Sequence, residues 1–435
     1  MKFKIHTLCA ALTLAASASV VQADDLLQIY QQALTSDPLV LQAQAQRNGL
    51  FEEIEQNRAP LLPTISANVG YDKAWNDPKV DTSGLVGSLT LNQVIYDHSA
   101  WVGLSLAEKA ASQADSAYAS ALQNLITRIT KAYFDVLTAK DNYEFQGAEK
   151  RAIERQLEQT KQRFAVGLTA ITDVHEAQAQ YDLASATEIL AENRLANSYE
   201  ALREITGIDH KTINVLDTNR FSAVTPAPAS SSEWLKIAET NSIDLMTQRI
   251  GKDIAQETIK LYQAGHMPSL SLNAGYNKGL EQKTGNINDP DFDNVNVGVN
   301  LSIPIFEGFK VSSQVKQAQF QYVEASEKLE QVYRGVVKDV RNNYNNVGAS
   351  ISSIKAYEQS VLSSESALKA TQAGFEVGTR TIVDVLNRTR DLYDSKRQLS
   401  DARYSYINSI VALKQAAGTL NEDDVIAINN GLKAE

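Results

Sequence analysis

The sequence predicts an α+β chain built as two tandem copies of one unit, with β-hairpins set between helices of unusual length. Three observations carry this expectation. Motifs recur at a spacing near 210 residues, four segments alternate strictly between apolar and polar side chains, and two very long stretches hold no proline.

Composition bounds the chain before any motif is read. It has 435 residues, 43% hydrophobic and 21% charged, which is too apolar and evenly mixed for a disordered protein. Cys9 is the single cysteine, so neither a disulfide framework nor a cysteine-built metal site is possible. Lys+Arg 41 against Asp+Glu 52 gives a net charge of -11, which argues against a nucleic-acid footprint. The mean hydropathy of -0.27 fits a water-soluble chain or a β-barrel, and not a bundle of membrane helices.

Residues 1–23 read as a signal peptide. Lys2 and Lys4 form a basic start, Leu8 to Val21 is apolar and small, and Val21-Gln22-Ala23 supplies a cleavage site. Cys9 lies inside the apolar run, too early to become a lipidated N-terminus. No later stretch reaches the roughly 18 apolar residues of a spanning helix. The mature chain is therefore expected to be periplasmic, secreted, or held in an outer membrane by strands.

The repeat is in register at three places. Pro63, Ser66, Asn68, Gly70, Tyr71 and Lys73 recur 205 residues later as Pro268, Ser271, Asn273, Gly275, Tyr276 and Lys278. Phe164, Val166, Gly167, Ile171, Asp173 and Val174 recur 211 residues later as Phe375, Val377, Gly378, Ile382, Asp384 and Val385. Gly207 likewise recurs as Gly418, and the drift from 205 to 211 implies a short insertion. Pro226, Pro228 and three serines mark a linker over 226–232, so the units are 24–225 and 233–435.

Each unit follows one plan: helix, two strands, long helix, turn, helix. The hairpins span 64–96 and 269–306. Ile65, Ala67, Val69 and Tyr71 alternate with Ser66, Asn68 and Gly70, and Val295, Val297, Val299, Leu301, Ile303 and Ile305 alternate with Asn296, Asn300 and Ser302. Such alternation serves a soluble sandwich or, with lipid outside and water inside, a membrane barrel. The connections carry Asn76-Asp77-Pro78 and Asn288-Asp289-Pro290.

Helices fill the rest. Leu122, Leu125, Ile126, Ile129, Tyr133, Val136 and Leu137 mark an i, i+3, i+4, i+7 stripe. Val174, Tyr181, Leu195 and Leu202 repeat at multiples of seven beside Ala177, Ala184 and Ala191, a close-packing seam that Glu188 interrupts. The long helices over 98–164 and 311–375 would each reach ~100 Å. Their shorter neighbours, 25–58 with 171–206 and 233–264 with 381–417, match that length when stacked end to end. Such columns cannot build a compact core alone and must lie against further copies. Four strands also leave two open edges, which lipid does not tolerate, while outer-membrane barrels begin at eight strands. Three copies would supply twelve strands and twelve helical columns, although one sequence does not fix the number three.

The strand starts at Leu62-Pro63 and Met267-Pro268 resemble the TolC family of outer-membrane efflux channel-tunnels, the outer membrane factors. So do the turns Val166-Gly167-Leu168 and Val377-Gly378-Thr379, the run from Gly378 to Leu386, and Ala417-Gly418-Thr419-Leu420-Asn421. The resemblance covers residues 24–433. It implies a homotrimer with a 12-stranded β-barrel in the outer membrane, continuous with a 12-helix periplasmic α-barrel and a mixed equatorial domain. It implies a passive exit duct for multidrug efflux and type I protein secretion, with no cofactor, and no metal. The implied partners are a periplasmic adaptor, an inner-membrane drug-efflux or ABC-type pump, and outer-membrane lipid.

The resemblance also places a gate at the periplasmic tip. By position, Arg380 would bond Thr172 and Asp173 of the neighbouring protomer, Asp384 would project a ring of carboxylates, and Gln156, Gln372, Phe375 and Asn387 would belong to the same gate. Read from the residues alone, Arg380 is sooner a solvated charge, and Asp384 a helix-start charge favoured by the dipole. Two positions depart from the family: Asn387 stands where an aspartate is usual, and Phe375 where a tyrosine is. A gate held more loosely, binding multivalent cations less, is the expectation, since a hydrogen bond to a charged group is worth roughly 1.5–3 kcal/mol. Val166, Gly167, Leu168 and Thr169, with Val377, Gly378 and Thr379, are the implied adaptor docking points. As bare sequence they are equally well structural turns.

No enzyme motif competes. His98, His175, His210 and His266 lack metal-ligand spacing, and neither a phosphate loop nor a Gly-x-Ser-x-Gly elbow is present. The alternative from another class is a periplasmic coiled-coil adaptor or scaffold that spans no membrane. It would normally show one helical hairpin flanked by lipoyl-like motifs.

Overall fold

The structure, a computed structural model, describes residues 24–75, 81–284 and 287–434. The expected signal peptide and the Asn76-Asp77-Pro78 turn lie outside the described residues.

Each half begins with a broken helix. The sequence suggested one helix over 25–58, but α1 (Leu26–Ser36) and α2 (Pro38–Arg58) meet at Asp37. Pro38 has no N–H and cannot continue α1, yet its fixed φ suits the first position of α2, which Asp37 caps. The second half breaks at the matching place, between α5 (Ser231–Asn241) and α6 (Ile243–Gln263), where the Ser242 hydroxyl accepts from the Leu245 N–H. Asp37 is 1% exposed and is held there by an ion pair with Arg128.

The long strands form one antiparallel sheet. β1 (Thr64–Ala74) pairs β2 (Thr82–Tyr96), β2 pairs β4 (Ser269–Thr284), and β4 pairs β6 (Phe292–Ser302). Three short strands complete the set: β3 (Val215–Leu216), β5 (Ile287–Asn288) folding back on β4, and β7 (Leu432–Lys433), which pairs β3 in a separate two-stranded sheet. β6 stops at Ser302, short of the expected 306, because Pro304 cannot donate to a ladder. The register lines up like with like. Ile65, Leu91, Ala274 and Val297 form one row, and Ala67, Leu89, Tyr276 and Val295 another. Asn68, Ser88, Asn277 and Asn294 form a row on the opposite face. One face is thus apolar and one polar across all four long strands, yet Ile65 is 67% and Val297 70% exposed.

From the sheet, α3 (His98–Ala165) and α7 (Lys310–Glu376) run 68 and 67 residues, about 100 Å each. α4 (Ile171–Thr206) and α8 (Ile382–Ala416) return from the far end. α3 packs against α2 and α4 on one side and against α6 and α8 on the other, and α7 packs against α6 and α8. The lateral order is therefore α2 stacked on α4, then α3, then α6 stacked on α8, then α7. The protomer ends in β1 above the α2–α4 column on one flank and in β6 above α7 on the other.

The main apolar core surrounds the middle of α3. Leu125, Ile129, Tyr133, Phe134 and Leu137 pack there with Leu26 and Ile29 of α1, Trp234 of α5, and Val425 of α9 (Glu422–Asn429). This mixed region also holds β3 and β7 and a buried His210, whose Nδ1 lies 2.8 Å from Asp24 and whose Nε2 lies 3.0 Å from Thr206. Burial pushes the Tyr133 hydroxyl well above the ordinary tyrosine range. That hydroxyl donates to the Asn214 carbonyl at 2.6 Å.

Candidate functional site

The end of the molecule farthest from the sheet is made by two equivalent turns. α3 ends at Ala165 with Val166 as its cap, and Gly167 takes φ +77 so that its N–H reaches the Phe164 carbonyl at 2.9 Å and the Leu168 N–H reaches the Arg163 carbonyl at 2.9 Å. α7 ends the same way: Gly378 takes φ +78, its N–H reaching Phe375 at 3.1 Å and the Thr379 N–H reaching Gly374 at 2.9 Å. Both are Schellman endings, which satisfy terminal carbonyls through a residue that only glycine occupies without strain. Val166, Leu168 and Val377 stand out into solvent at 68–75% exposure, an unusual place for three large apolar side chains.

Behind the turns lies a second, small apolar core. Ile153 and Leu157 of α3, Ala177 and Ala184 of α4, Phe375 of α7, and Ile382, Val385 and Leu386 of α8 pack together. The two hairpins of the protomer therefore meet here. Phe375 is buried in this core with the Arg163 guanidinium 4.7 Å above its ring. Phe375, expected at the gate with no hydroxyl to donate, is thus an apolar anchor between the hairpins.

Asp384 caps α8. Its carboxylate accepts from the Thr381 N–H at 3.0 Å and from the Thr381 hydroxyl at 2.9 Å, while its own N–H donates back to that hydroxyl at 3.2 Å. The Thr381 backbone N–H and then its hydroxyl hold the Asp384 carboxyl below the ordinary aspartate range. Thr-x-x-Asp is a capping-box spacing, and the sequence carried that signal. On the matching turn Asp173 accepts from the Thr169 hydroxyl. Thr172, Arg380 and Asn387 are exposed, Arg380 having its stem across Gly374. Among the described residues no hydrogen bond or ion pair within the protomer holds the Arg380 guanidinium. Gln156 and Gln372 are half-buried beside the small core, and Gln156 Oε1 finds no partner among the described residues.

Sequence reading missed the polar contacts just above this tip, one between the halves and one within the first half. Glu149 of α3 pairs with Arg397 of α8 at 3.1 Å, and Lys150 pairs with Glu188 of α4 at 2.7 Å. Glu188 is thus the polar interruption of the α4 seam, matched by its partner on α3. Among the described residues no group of side chains has the makings of a metal site, and no helix is long and apolar enough to cross a membrane.

Comparison with known proteins matches this architecture. A model of the outer membrane efflux protein family matches residues 29–208 and again 234–419, one match in each half. Outer membrane protein TolC of Vibrio cholerae is 49% identical over 433 residues, covering 99% of both chains. The proteases secretion protein PrtF of Dickeya chrysanthemi is 27% identical, covering 95% of this chain and 92% of that one. Among solved structures, the CusC channel superposes with a TM-score of 0.81 over 91% of this chain at 16% identity, a likeness of fold.

Proposed function

The chain belongs to the outer membrane efflux protein family, and on that premise we propose that it is an outer-membrane exit duct serving efflux and type I protein secretion. Transport is passive, with energy supplied by an inner-membrane pump and the connection made by a periplasmic adaptor. Relatives named for efflux and for protease secretion support both cargoes.

One observation carries the reading: both layers of the protomer end in matching open flanks. The sheet has unpaired edges at β1 and β6, and the helical layer ends directly below them in α2–α4 and in α7. In the antiparallel order β1–β2–β4–β6 the outer strands run in opposite directions, so β6 of one copy can pair β1 of the next without breaking the pattern. The same rotation lays α7 against α2 and α4, and these helices carry exposed apolar side chains for such a contact, Leu39 and Leu190 on α2 and α4, Phe320 and Leu362 on α7. Closed with three copies, the ring has twelve strands, an apolar face toward lipid and a polar face toward water. Two copies would give eight strands, the minimum for such a barrel, whose interior side chains fill and which leaves no water-filled duct.

The tip is then the gate and the docking point. Asp384, with Arg380, Thr172, Asp173, Gln156 and Gln372, lines the constriction, and Val166, Gly167, Leu168, Thr169, Val377, Gly378 and Thr379 meet the adaptor. The exposed Val166, Leu168 and Val377 suit an apolar helical partner. Planar-bilayer recording from the purified protein tests the duct: discrete cation-passing steps are expected, and a protein that inserts without conducting would refute it.

A further inference from the structure

Between its two apolar cores the helical layer is crossed by a polar belt. On α3 the buried residues from Leu137 to Ile153 are only Gly147 and Glu149. Glu149 pairs with Arg397 of α8, which also pairs with Asp394. At the same level Gln146 accepts from Thr187 of α4 at 3.2 Å, and Lys150 holds Glu188. On the far side Ser395 of α8 meets Ser360 and Ser364 of α7 at 3.2 and 3.1 Å. Polar contacts therefore join all four helices in one cross-section, alongside the apolar Leu392 of α8 and Ala184 and Ala191 of α4. That section lies 16 residues, or ~24 Å, above the end of α3.

The two apolar cores resist sliding, because displacement there exposes apolar surface to water. Hydrogen-bonded contacts differ, since water can replace each partner as the helices part. A cavity of about 140 Å³ beside Glu149, with Gln180, Thr187, Arg390 and Arg397 on its polar side and Ile153 and Leu386 of the small core on the other, leaves room for α8 to tilt.

We propose that this belt is the pivot at which the tip opens, and that the Glu149–Arg397 pair is the latch across it. The inference rests on the duct reading. Glu149 and Arg397 are positioning residues, acting on the gate through the helices that carry it.

The latch has a sign in pH. Burial raises the Glu149 carboxyl above its ordinary value, and the Arg397 hydrogen bond pulls it only partly back. The charged groups facing it are Arg397, Asp394 and Arg390 of α8. α4 offers Gln180 and Thr187, with Glu188 committed to Lys150. When α8 swings away, Glu149 becomes hydrated and its proton affinity falls. The closed form then binds the proton more tightly, so acid favours closure and opening becomes easier as pH rises through the shifted value.

Bilayer conductance and native mass of three variants test this. In Glu149→Leu/Arg397→Leu an apolar contact replaces the pair, an exchange that folded proteins often tolerate. It should assemble with parental mass yet open several-fold less often. Arg397→Ala strips the partner from a buried carboxylate and should open more often. Glu149→Gln should assemble normally and flatten the part of the pH profile above the ordinary glutamate range. A merely structural pair would not move opening in opposite directions. If all three conduct like the parent at every pH, or if both pair variants change opening in the same direction, the latch is wrong. A parent that forms no pore refutes the duct and the latch together.

Discussion

Gly378 and Gly418 are both held at positive φ, +78 and +71, but for different neighbours. A Cβ on Gly378 would meet nothing within 4 Å, so Gly378→Ala should cost only the backbone strain of about 1–2 kcal/mol. A Cβ on Gly418 would sit 2.1 Å from the Asn241 carbonyl, so Gly418→Ala should be clearly more destabilising in parallel thermal melts. Equal melting shifts would refute this distinction. At the proposed gate, Asn387 is exposed three residues after Asp384. Asn387→Asp would double the carboxylates in the assembled constriction and should strengthen block by a multivalent cation in bilayer recordings; unchanged block would contradict that role. At this scale the sequence was legible where backbone chemistry is local, as at Gly167, Gly378 and the Thr381–Asp384 box. Phe375 was harder to read. Its burial under Arg163 depends on two helices far apart in the chain, which no local pattern records.

Elements follow the same division. The alternation in the strands and the lengths of α3, α4, α7 and α8 were readable because period and proline placement are properties of consecutive residues. The breaks at Asp37 and Ser242 were passed over, although Pro38 advertised the first and the 205-residue spacing then implies the second. Asp37 does two jobs there, capping α2 and pairing with Arg128 from a buried position. Asp37→Ala removes a cap worth about 1 kcal/mol and also leaves Arg128 without its carboxylate, so a total above ~2 kcal/mol is expected by chemical denaturation. Asp37→Asn keeps the cap and loses only the ion pair, so it should lose less; equal losses would mean that the cap contributes nothing. The polar belt was illegible for another reason. Gln146, Glu149 and Lys150 look in sequence like any solvated helix face, and only their partners on α4 and α8 reveal them as buried contacts.

At the scale of the whole molecule, the protomer is a curved piece of a wall. Its apolar sheet face is bare, its strand edges are unpaired, and its helical flanks carry Phe320 at 75% exposure and Ile189 at 64%. Such surfaces in one chain are a liability unless other copies and lipid cover them. The duplication, the hairpins and the helix lengths already pointed to a closed ring. The lateral order of the columns, which aligns β1 with α2–α4 and β6 with α7, came only from the fold. The central claim is therefore assembly in the membrane, and the native mass of protein extracted by detergent from outer-membrane vesicles, corrected for bound detergent, tests it most directly. Three chains per particle is the predicted result. A single chain, recovered from the soluble periplasm and absent from the outer membrane, would contradict it.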